Sequence, residues 1–535
     1  MKTRIRAIAI LATMAFLPTA LTLASAIPAN ADAYTAPTQI VPQDQAGLNV
    51  VESFSSTGEG ASFLIAHQDS DKFGGMPNEY VCSGITVEGP CSFSAGYRPF
   101  SRLLMPPCDA TVKTNCIDGL SIFKTGETPE AAKFIREIQG DRIAADPAHN
   151  LPAGGGKSLW SSSTLHAGGT GEYMAFVSMG LSFNGGKFSV QDFDANIQPT
   201  TTSQPGGPGV HYTQRTLDNG RTSVGGSSGP QECVWFDPSG CGKLQDFAPD
   251  TQVKMSIRIS KNVGGWFKGR MKAPNVQVTS IDSENQLLSI DAQTVTVPMF
   301  FAKFAKTGNS DAVQGWISKY LNQGYVGGAI NSRSDQQLAF DAMTALKEPA
   351  KDTAYGYNTL WSVGTLPGMA GNGCLADTSK VLGIVTTNSM VYQGSSPTYE
   401  QGMLNYKVAG MHFMPDGKTE VEGTYDLVMR SDTARCLYGF SKAPISATIS
   451  VTSATGEAKT AVTVVKETTD GWLQLAAYGF TFSSPTIKVK VTQAQTQAPT
   501  STKKTTITCV SSKNKKLIKK VTAAAPKCPS GYKKK

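Results

Sequence analysis

The alternation of apolar and polar residues predicts strands through most of the chain. Val253–Ser260 alternates without a miss, which is the period of a half-buried strand. Tyr173–Phe183 and Val295–Phe300 are more continuously apolar and are typical of deeply buried strands. We therefore predict a β-rich N-terminal region over residues 32–300.

Two segments interrupt this β pattern. Thr128 is a suitable cap for a helix whose apolar residues Phe134, Ile135 and Ile138 share one face before Gly140, so the spacing predicts a helix over 128–140. Residues 198–230 are rich in Gly, Pro, Ser and Thr, and this composition predicts a long loop or an arm.

A small helical segment is predicted over residues 301–350. The first helix begins at Ser310, ends at Gly324, and has an apolar face formed by Val313, Trp316, Ile317, Tyr320 and Leu321. Ser334 and Gln337 resemble a capping box at the start of the second helix, whose apolar residues are Leu338, Ala342, Ala345 and Leu346. Apolar positions at this spacing usually pack into a core, and we expect that here.

Residues 351–492 return to strands and are predicted to form a C-terminal β-sandwich region. Its cleanest part, about 437–492, is immunoglobulin-like, with turns at Gly456 and Asp470–Gly471 and strands predicted at Ile445–Val451, Val462–Val464, Trp472–Leu475 and Ile487–Val491. Because so few residues rarely complete a sandwich, we expect strands before Cys436 to contribute. The predicted fold class is mainly β: multidomain β-sandwich modules with a small helical segment, stapled by disulfides.

The end of the chain differs from the rest in composition. Residues 493–505 contain no core-forming pattern and are interpreted as a linker, followed by a basic tail with two cysteines over 506–535. The segments Gly423–Phe440, Gly471–Leu473 and Ile487–Lys490, together with Thr506–Lys535, resemble those of secreted, uncharacterised actinobacterial surface proteins. The resemblance implies a compartment and an architecture, and it implies no activity.

The cysteine pattern indicates disulfides. Ten cysteines form an even set whose neighbours in sequence are predicted to pair, and no pair has the two-residue spacing of a zinc site. The predicted bridges are Cys82–Cys91, Cys108–Cys116, Cys233–Cys241, Cys374–Cys436 and Cys509–Cys528. Disulfides are typical of secreted proteins.

The N-terminus supports export. Lys2, Arg4 and Arg6 precede the apolar run Ala7–Leu17, the pattern of a signal peptide, which we assign to residues 1–31. No later stretch of eighteen apolar residues follows, so the sequence predicts no transmembrane segment. The expected localisation is extracellular or associated with the cell surface.

Charge separates the tail from the body. Of 49 Lys and Arg, three lie in residues 1–31 and eleven in residues 501–535, which include the end of the linker and are called the tail below. This leaves 35 basic against 41 acidic residues, a net charge of −6 for the body, residues 32–500. Flexible lysines suit diffuse anionic polymers, such as cell-wall polymers or acidic glycans, better than one specific nucleic acid. A tail that only increases solubility is the alternative. The candidate binding residues are Lys503, Lys504, Lys513, Lys515, Lys516, Lys519, Lys520, Lys527, Lys533, Lys534 and Lys535.

No catalytic residue can be assigned. Gly225–Gly229 fits the G-x-S-x-G spacing around Ser227, but Pro230 follows at once where a nucleophile elbow needs a helix. Gly154–Ser158 lacks the first glycine of a phosphate-binding loop. Both segments are interpreted as turns.

Two weaker ligand sites remain open. Asp192, Asp194 and Asn196, and separately Asp69 and Asp71, present oxygen atoms at alternating positions, so a calcium ion is a possible cofactor, although the spacing is not that of an EF-hand. Solvated turns are the favoured alternative, and we predict no metal site and no cofactor.

Trp266, Phe267 and Arg270 form a possible stacking surface for a sugar ring or a partner. The favoured alternative is a turn whose aromatic side chains fold back onto the core.

Together these features favour a secreted, non-enzymatic bacterial cell-surface protein with a structural or adhesive role, held on an anionic envelope by its lysine-rich tail. A secreted carbohydrate-active hydrolase and a self-assembling surface layer or filament protein are the alternatives. The sequence leaves the oligomeric state open.

Overall fold

The computed structural model describes most of the chain after residue 40. The described residues are 41–42, 44–52, 60–69, 72, 75–94, 96–227, 229–230, 232–320, 328–331, 336–366, 373–440, 445–452, 458–459, 462–482, 486–493 and 504–535. The predicted signal peptide, most of the predicted linker, Asp71, Ser334 and Lys503 lie outside these residues.

Strands account for most of the described chain. The strands before the first helix are β1 Gln45–Val51, β2 Phe63–Gln68, β3 Asn78–Val81, β4 Tyr97–Leu104, β5 Cys116–Lys124, β6 Lys133–Glu137, β7 Ser158–Ser161, β8 Glu172–Asn184, β9 Lys187–Ser203, β10 Tyr212–Thr216, β11 Thr222–Gly226, β12 Cys233–Asp237, β13 Gly240–Leu244, β14 Thr251–Ser260, β15 Gly265–Arg270, β16 Lys272–Ser280, β17 Asn285–Gln293 and β18 Val295–Ala305.

The later elements include the helices. They are α1 Asp311–Tyr320, β19 Gly328–Asn331, α2 Gln336–Ala345, β20 Gly356–Thr365, β21 Val381–Thr387, β22 Val391–Tyr392, β23 Thr398–Glu400, β24 Met403–Ala409, β25 Gly423–Arg430, α3 Ser431–Tyr438, β26 Ile445–Thr452, β27 Ala458–Lys459, β28 Val462–Glu467, β29 Trp472–Phe480, β30 Thr486–Gln493, β31 Thr505–Ser511, β32 Ile518–Ala523 and β33 Tyr532–Lys534. The prediction of a mainly β protein with a small helical segment is confirmed.

One large sheet connects the predicted regions. Its strands follow the order β3-β2-β4-β8-β9-β20-β15-β21-β25-β29-β28, and each neighbouring pair is antiparallel except β15 with β21. Strand β15 comes from the predicted N-terminal region, and its partners β20 and β21 come from the C-terminal region. Hydrogen bonds of a single sheet therefore cross the interval between residues 300 and 351.

The N-terminal core is a sandwich of two sheets. The antiparallel sheet β16-β17-β14-β5 covers the part of the large sheet that contains β9 and β20. Alternate residues of β14 face this core, as its sequence pattern predicted, and Ile257 packs with Phe193 and Trp361 of the opposite sheet. The strands predicted at Val253–Ser260 and Tyr173–Phe183 are confirmed within β14 and β8.

The C-terminal core is a second sandwich. Strands β24, β30 and β26 form a sheet that packs against β25 and β29, and its core includes Tyr406, Tyr425 and Phe480. All four strands predicted between Ile445 and Val491 are present. The expectation that strands before Cys436 complete this sandwich is confirmed, because β24 pairs with β30 and β25 pairs with β29.

Helices α1 and α2 pack on a small branch of the large sheet, formed by β18, β1 and β19. The Trp316 ring lies 6.1 Å from that of Phe304, and Leu338 and Ala342 are buried in the same cluster. Both helices therefore form the core contacts that their apolar spacing predicted.

Two segments differ from the predictions. Residues 133–137 form strand β6 instead of a helix, because β6 pairs with the edge of β7 and Phe134 packs on Trp160 with ring centroids 5.5 Å apart. Residues 198–230 are not a long loop, since β9 extends to Ser203 and β10 pairs with β11 as a hairpin.

The predicted disulfide pairing is confirmed at all five bridges, and the described residues contain no free cysteine. Cys374–Cys436 spans 62 residues and joins helix α3 to the segment before β21. The other bridges span between 8 and 19 residues, so they fix local turns and hairpins.

Candidate functional site

The lysine-rich tail folds as a three-stranded antiparallel sheet with the order β32-β31-β33. Cys509 is buried at its centre and bonds to Cys528. Short strands with few apolar residues do not form a stable sheet alone, so the disulfide supplies part of the constraint that a larger core would provide. The tail is thus a folded unit with three strands, which the sequence analysis did not predict.

The register places lysines on both faces of this tail sheet. Lys519 and Lys534 both lie opposite Cys509 and share its face, where the ammonium of Lys519 lies 5.2 Å from the ring of Tyr532. Lys520 lies opposite Thr508 and Lys533 opposite Val510, and these two lysines project from the other face. Positive charge therefore surrounds the sheet and is not confined to one side.

Every lysine that the structure describes in the tail is exposed, and residues 501–535 contain no Asp or Glu. The lysines are consequently available to an external anion without first breaking an ion pair within the sheet. The ten exposed lysines are Lys504, Lys513, Lys515, Lys516, Lys519, Lys520, Lys527, Lys533, Lys534 and Lys535.

The predicted stacking surface at Trp266, Phe267 and Arg270 is wrong, because all three side chains have 0% exposure. Strand β15 lies inside the large sheet between β20 and β21, and both of its faces are covered. The indole of Trp266 packs against Gly383, where any Cβ would approach the ring to 2.6 Å. These aromatic side chains belong to the core, within a strand instead of the expected turn.

Arg270 instead holds together three distant parts of the chain. Its guanidinium donates hydrogen bonds to Glu52, to the carbonyl oxygen of Thr387 at 3.0 Å and to that of Ser389, and it stacks 4.3 Å from the ring centroid of Tyr392. The hydroxyl of Tyr392 donates to the other oxygen of Glu52 at 3.2 Å. The carboxylate and the carbonyl oxygens compensate the buried charge, and the role of this cluster is structural.

Three of the aspartates considered for calcium, Asp69, Asp192 and Asp194, are engaged with arginines. Asp69 Oδ1 lies 2.8 Å from Arg98, and this hydrogen bond lowers the pKa of the carboxyl. Arg102 lies 2.6 Å from Asp192 and 3.9 Å from Asp194. Among the described residues, no group of three or more His, Cys, Asp or Glu side chains is arranged to hold a metal ion.

Ser227 lies beside a histidine that its sequence context did not indicate. Asp141 Oδ1 is 2.8 Å from Nδ1 of His211, which raises the histidine pKa, while Nε2 lies 3.1 Å from the carbonyl oxygen of Pro208. The hydroxyl of Ser227 donates to the carbonyl of Gly209 and accepts from the backbone N–H of His211. Both imidazole nitrogens are thus occupied by groups other than Ser227, and this is not the arrangement of an activated nucleophile.

A groove of about 650 Å³ lies between helix α2 and the outer face of the C-terminal sandwich, and no sequence pattern predicted it. The floor is formed by β23, β24 and β30, whose outward residues include Asn405, Lys407 and Lys488. Gln336 and Phe340 of α2 form one wall, and the turn 393–395 lies beside them. These residues come from three separate parts of the chain. The only local signal is the alternation of polar and apolar residues in the strands, which predicts the outward positions of the floor.

A second missed feature is a buried carboxyl. Asp426 on β25 is 3% exposed, and burial raises its pKa to about 7, although the carboxyl accepts hydrogen bonds from the Tyr478 hydroxyl at 2.5 Å and from the backbone N–H of Ala273 at 3.2 Å. The ammonium of Lys272 lies over the ring of Tyr478. Because Ala273 belongs to β16 and Asp426 to β25, we assign this carboxyl to the junction between β16 and the large sheet.

No helix in the described part of the chain has the length and apolar character needed to cross a membrane. Comparison with known protein families finds no match for this chain. Comparisons with curated proteins and with solved structures also find none. The functional interpretation therefore depends on the geometry and chemistry of the chain itself.

Proposed function

We propose that the protein is a secreted, non-enzymatic surface protein with a structural or adhesive role, held on an anionic envelope by its tail sheet. The observation that supports this most directly is the set of ten exposed lysines on a disulfide-closed sheet without acidic residues. Five disulfides are compatible with an extracellular protein. The ligands are anionic cell-wall polymers or acidic glycans.

The distribution of lysines explains why a polymer is the proposed ligand. Lysines on both faces and in the connecting segments project in different directions, so they do not converge on one small anion. A flexible polyanion instead contacts several ammonium groups at once and releases its counterions. Each lysine near an anionic surface contributes about 1 kcal/mol, and this contribution falls as salt screens the charges.

The test compares two full-length variants that lose the same charge. In the tail variant, five lysines of the sheet are changed to Gln: Lys519, Lys520, Lys533, Lys534 and Lys535. In the matched control, five exposed lysines of the body are changed to Gln: Lys133, Lys187, Lys243, Lys303 and Lys418. Binding is measured on immobilised polygalacturonate and on polyphosphate, two unrelated anionic polymers.

We expect the tail variant to bind both polymers at least about a hundredfold more weakly than the unaltered protein at low salt, and the body variant to bind within about threefold. Raising NaCl from about 50 mM to about 500 mM should release the unaltered protein from both polymers. Equal retention of the two variants would contradict the proposal and leave the tail as a solubility element.

A further inference from the structure

The groove between α2 and the C-terminal sandwich is lined mainly by groups that form hydrogen bonds. Amides, hydroxyls and charged groups provide most of its surface, and Phe340 and Met403 are its only large apolar side chains among the described residues. The volume is within the range of pockets that hold small organic ligands. A lining with so many hydrogen-bond donors and acceptors suits a ligand that carries hydroxyl groups on most of its carbon atoms.

Several of these polar groups are fixed before any ligand arrives. The amide nitrogen of Gln393 donates to the hydroxyl of Ser395 at 2.6 Å and to the carbonyl of Ser396 at 2.9 Å. Gln337 donates to Asp341 at 2.7 Å. Side chains held in one orientation lose little conformational entropy on binding, which is the condition for a specific polar site.

The charges of the groove are separated along its floor. Asn405 lies opposite Lys488 and Lys407 opposite Thr486, so the two lysines are diagonal neighbours on adjacent strands. Glu400 lies opposite Met403 and marks the other end. Within the described chain, no ion pair involves Lys407, Lys488 or Glu400, so the two ammonium groups are available to one external carboxylate.

Phe340 supplies an apolar surface beside these polar groups. It is partly exposed on α2, on the same helix face as Gln336, four residues earlier. An aromatic ring next to amides is a suitable contact for the C–H face of a sugar ring, because the ring covers the apolar face while the amides bond to the hydroxyls.

We propose that this groove binds a short acidic oligosaccharide, with the carboxylate of a uronic acid residue placed between Lys407 and Lys488. A neighbouring sugar ring lies against Phe340, and the side-chain carbonyl oxygens of Gln393 and Asn405 accept hydrogen bonds from its hydroxyls. The site is distinct from the tail sheet, and the proposal does not depend on the function proposed for the tail. The groove would distinguish one glycan from another, which the scattered lysines of the tail cannot do.

The probes are a galacturonic acid trisaccharide and the galactose trisaccharide of the same linkage, titrated calorimetrically into the full-length protein. A trisaccharide is too short to gain from many tail lysines at once. We expect the acidic probe to bind at least about tenfold more tightly than the neutral probe, since charge-assisted hydrogen bonds are the stronger ones. The tail variant described above should bind both probes as the unaltered protein does.

Three variants test the groove. The double substitution Lys407→Gln/Lys488→Gln should weaken binding of the acidic probe about tenfold or more and leave the neutral probe unchanged. Its matched control is Lys418→Gln/Lys466→Gln, which removes two exposed lysines outside the groove and should change neither affinity. Phe340→Ala should weaken both probes by about three- to tenfold.

Gly394→Ala tests the shape of the groove without altering its charge. A Cβ at this position would lie 2.3 Å from the amide of Gln336, a flexible side chain of the groove lining that must then shift. We expect weaker binding of both probes with an unchanged melting temperature. Absence of binding of both probes, or groove variants that bind as tightly as the unaltered protein, overturns the proposal, whereas failure of the tail variant to bind the probes assigns the sugar to the tail.

Discussion

The body and the tail sheet use positive charge in opposite ways. In the body, Arg270, Lys157 and Lys268 are almost completely buried, and Arg270 and Lys157 bond to backbone carbonyl oxygens. In the tail, every described lysine is exposed, and the sheet contains no acid. Burial of a cation costs several kcal/mol unless partners compensate it, whereas an exposed lysine needs no partner.

This difference shows which cations serve the fold and which are available to a ligand. A buried arginine selects one arrangement of the surrounding backbone, because any other arrangement leaves its charge uncompensated. Residues 501–535 contain no Asp or Glu, so ion pairs within the tail do not explain the clustering of its lysines.

Arg270→Met should lower the free energy of unfolding by about 3–5 kcal/mol, because the substitution leaves the buried carboxylate of Glu52 without its cation. Chemical denaturation followed by tryptophan fluorescence measures the loss. The matched tail variant Lys534→Met should change the body transition by less than about 0.5 kcal/mol.

Adding Glu52→Gln to Arg270→Met should restore part of the stability, since the unpaired charge is then removed. A loss below about 1 kcal/mol in the single variant would show that water or another cation replaces the guanidinium. Arg270 would then no longer be an example of a cation that the fold requires.

The disulfides provide a second comparison between the two regions. Replacing Cys374 and Cys436 with Ala should destabilise the body by about 4 kcal/mol in the chain-entropy model, because the bridge closes a loop of 62 residues. Replacing Cys509 and Cys528 should leave the body transition unchanged and raise the hydrogen exchange rates of β31 and β32. A body transition that shifts equally in both variants would show that tail and body unfold together.

Asp426 is expected to make the stability of the body depend on pH. Its folded pKa of about 7 lies above the unfolded value of about 3.9, so the folded protein retains the proton more strongly. The stabilisation is fully present below about pH 4 and is lost as the pH rises towards and through 7. The expected loss over this window is about 2–4 kcal/mol.

Asp426→Asn should remove the loss of stability between about pH 4 and 7, because the amide remains neutral. Urea denaturation at several pH values measures the free energy of unfolding. Asp416→Asn is the control, since hydrogen bonds from the Thr419 hydroxyl and from nearby backbone N–H groups lower the pKa of that exposed carboxyl. Its contribution therefore changes only at more acidic pH. An unchanged slope in Asp426→Asn would place the titrating group elsewhere.

The sequence predicted elements better where local spacing agrees with the tertiary environment. Strand β14 alternates because one face packs on Phe193 and Trp361 while the other is partly exposed. The apolar residues of 133–137 have a spacing that is compatible with a helix, but the segment forms a strand because it pairs with β7. In β15 the short run GWFKGR is buried on both faces, which its neighbours in space determine and its own pattern does not.

The candidate sites divide in the same way. The tail is contiguous in sequence, so its charge and its cysteine pair were visible at once, and only its strands had to come from the structure. The groove unites α2, the turn after β22 and the strands β24 and β30. Such a site is hard to recognise from the sequence, because its residues come from elements that are far apart along the chain.

The smallest predicted effect concerns the stability of the tail sheet itself. Lys519 and Lys534 flank Cys509 on one face, and strand spacing places their backbones about 10 Å apart, close to the screening length at physiological salt. Their repulsion should therefore cost only a few tenths of a kcal/mol. The tail sheet of the five-lysine variant should consequently be as stable as that of the unaltered protein, or slightly more stable, as measured by hydrogen exchange of residues 505–523.

Added salt should slow hydrogen exchange in the unaltered protein and have less effect in the variant, because the unaltered tail has more repulsion to screen. A tail that loses its protection when the lysines are neutralised would show that these lysines hold the sheet together, and the contrast with Arg270 would then disappear.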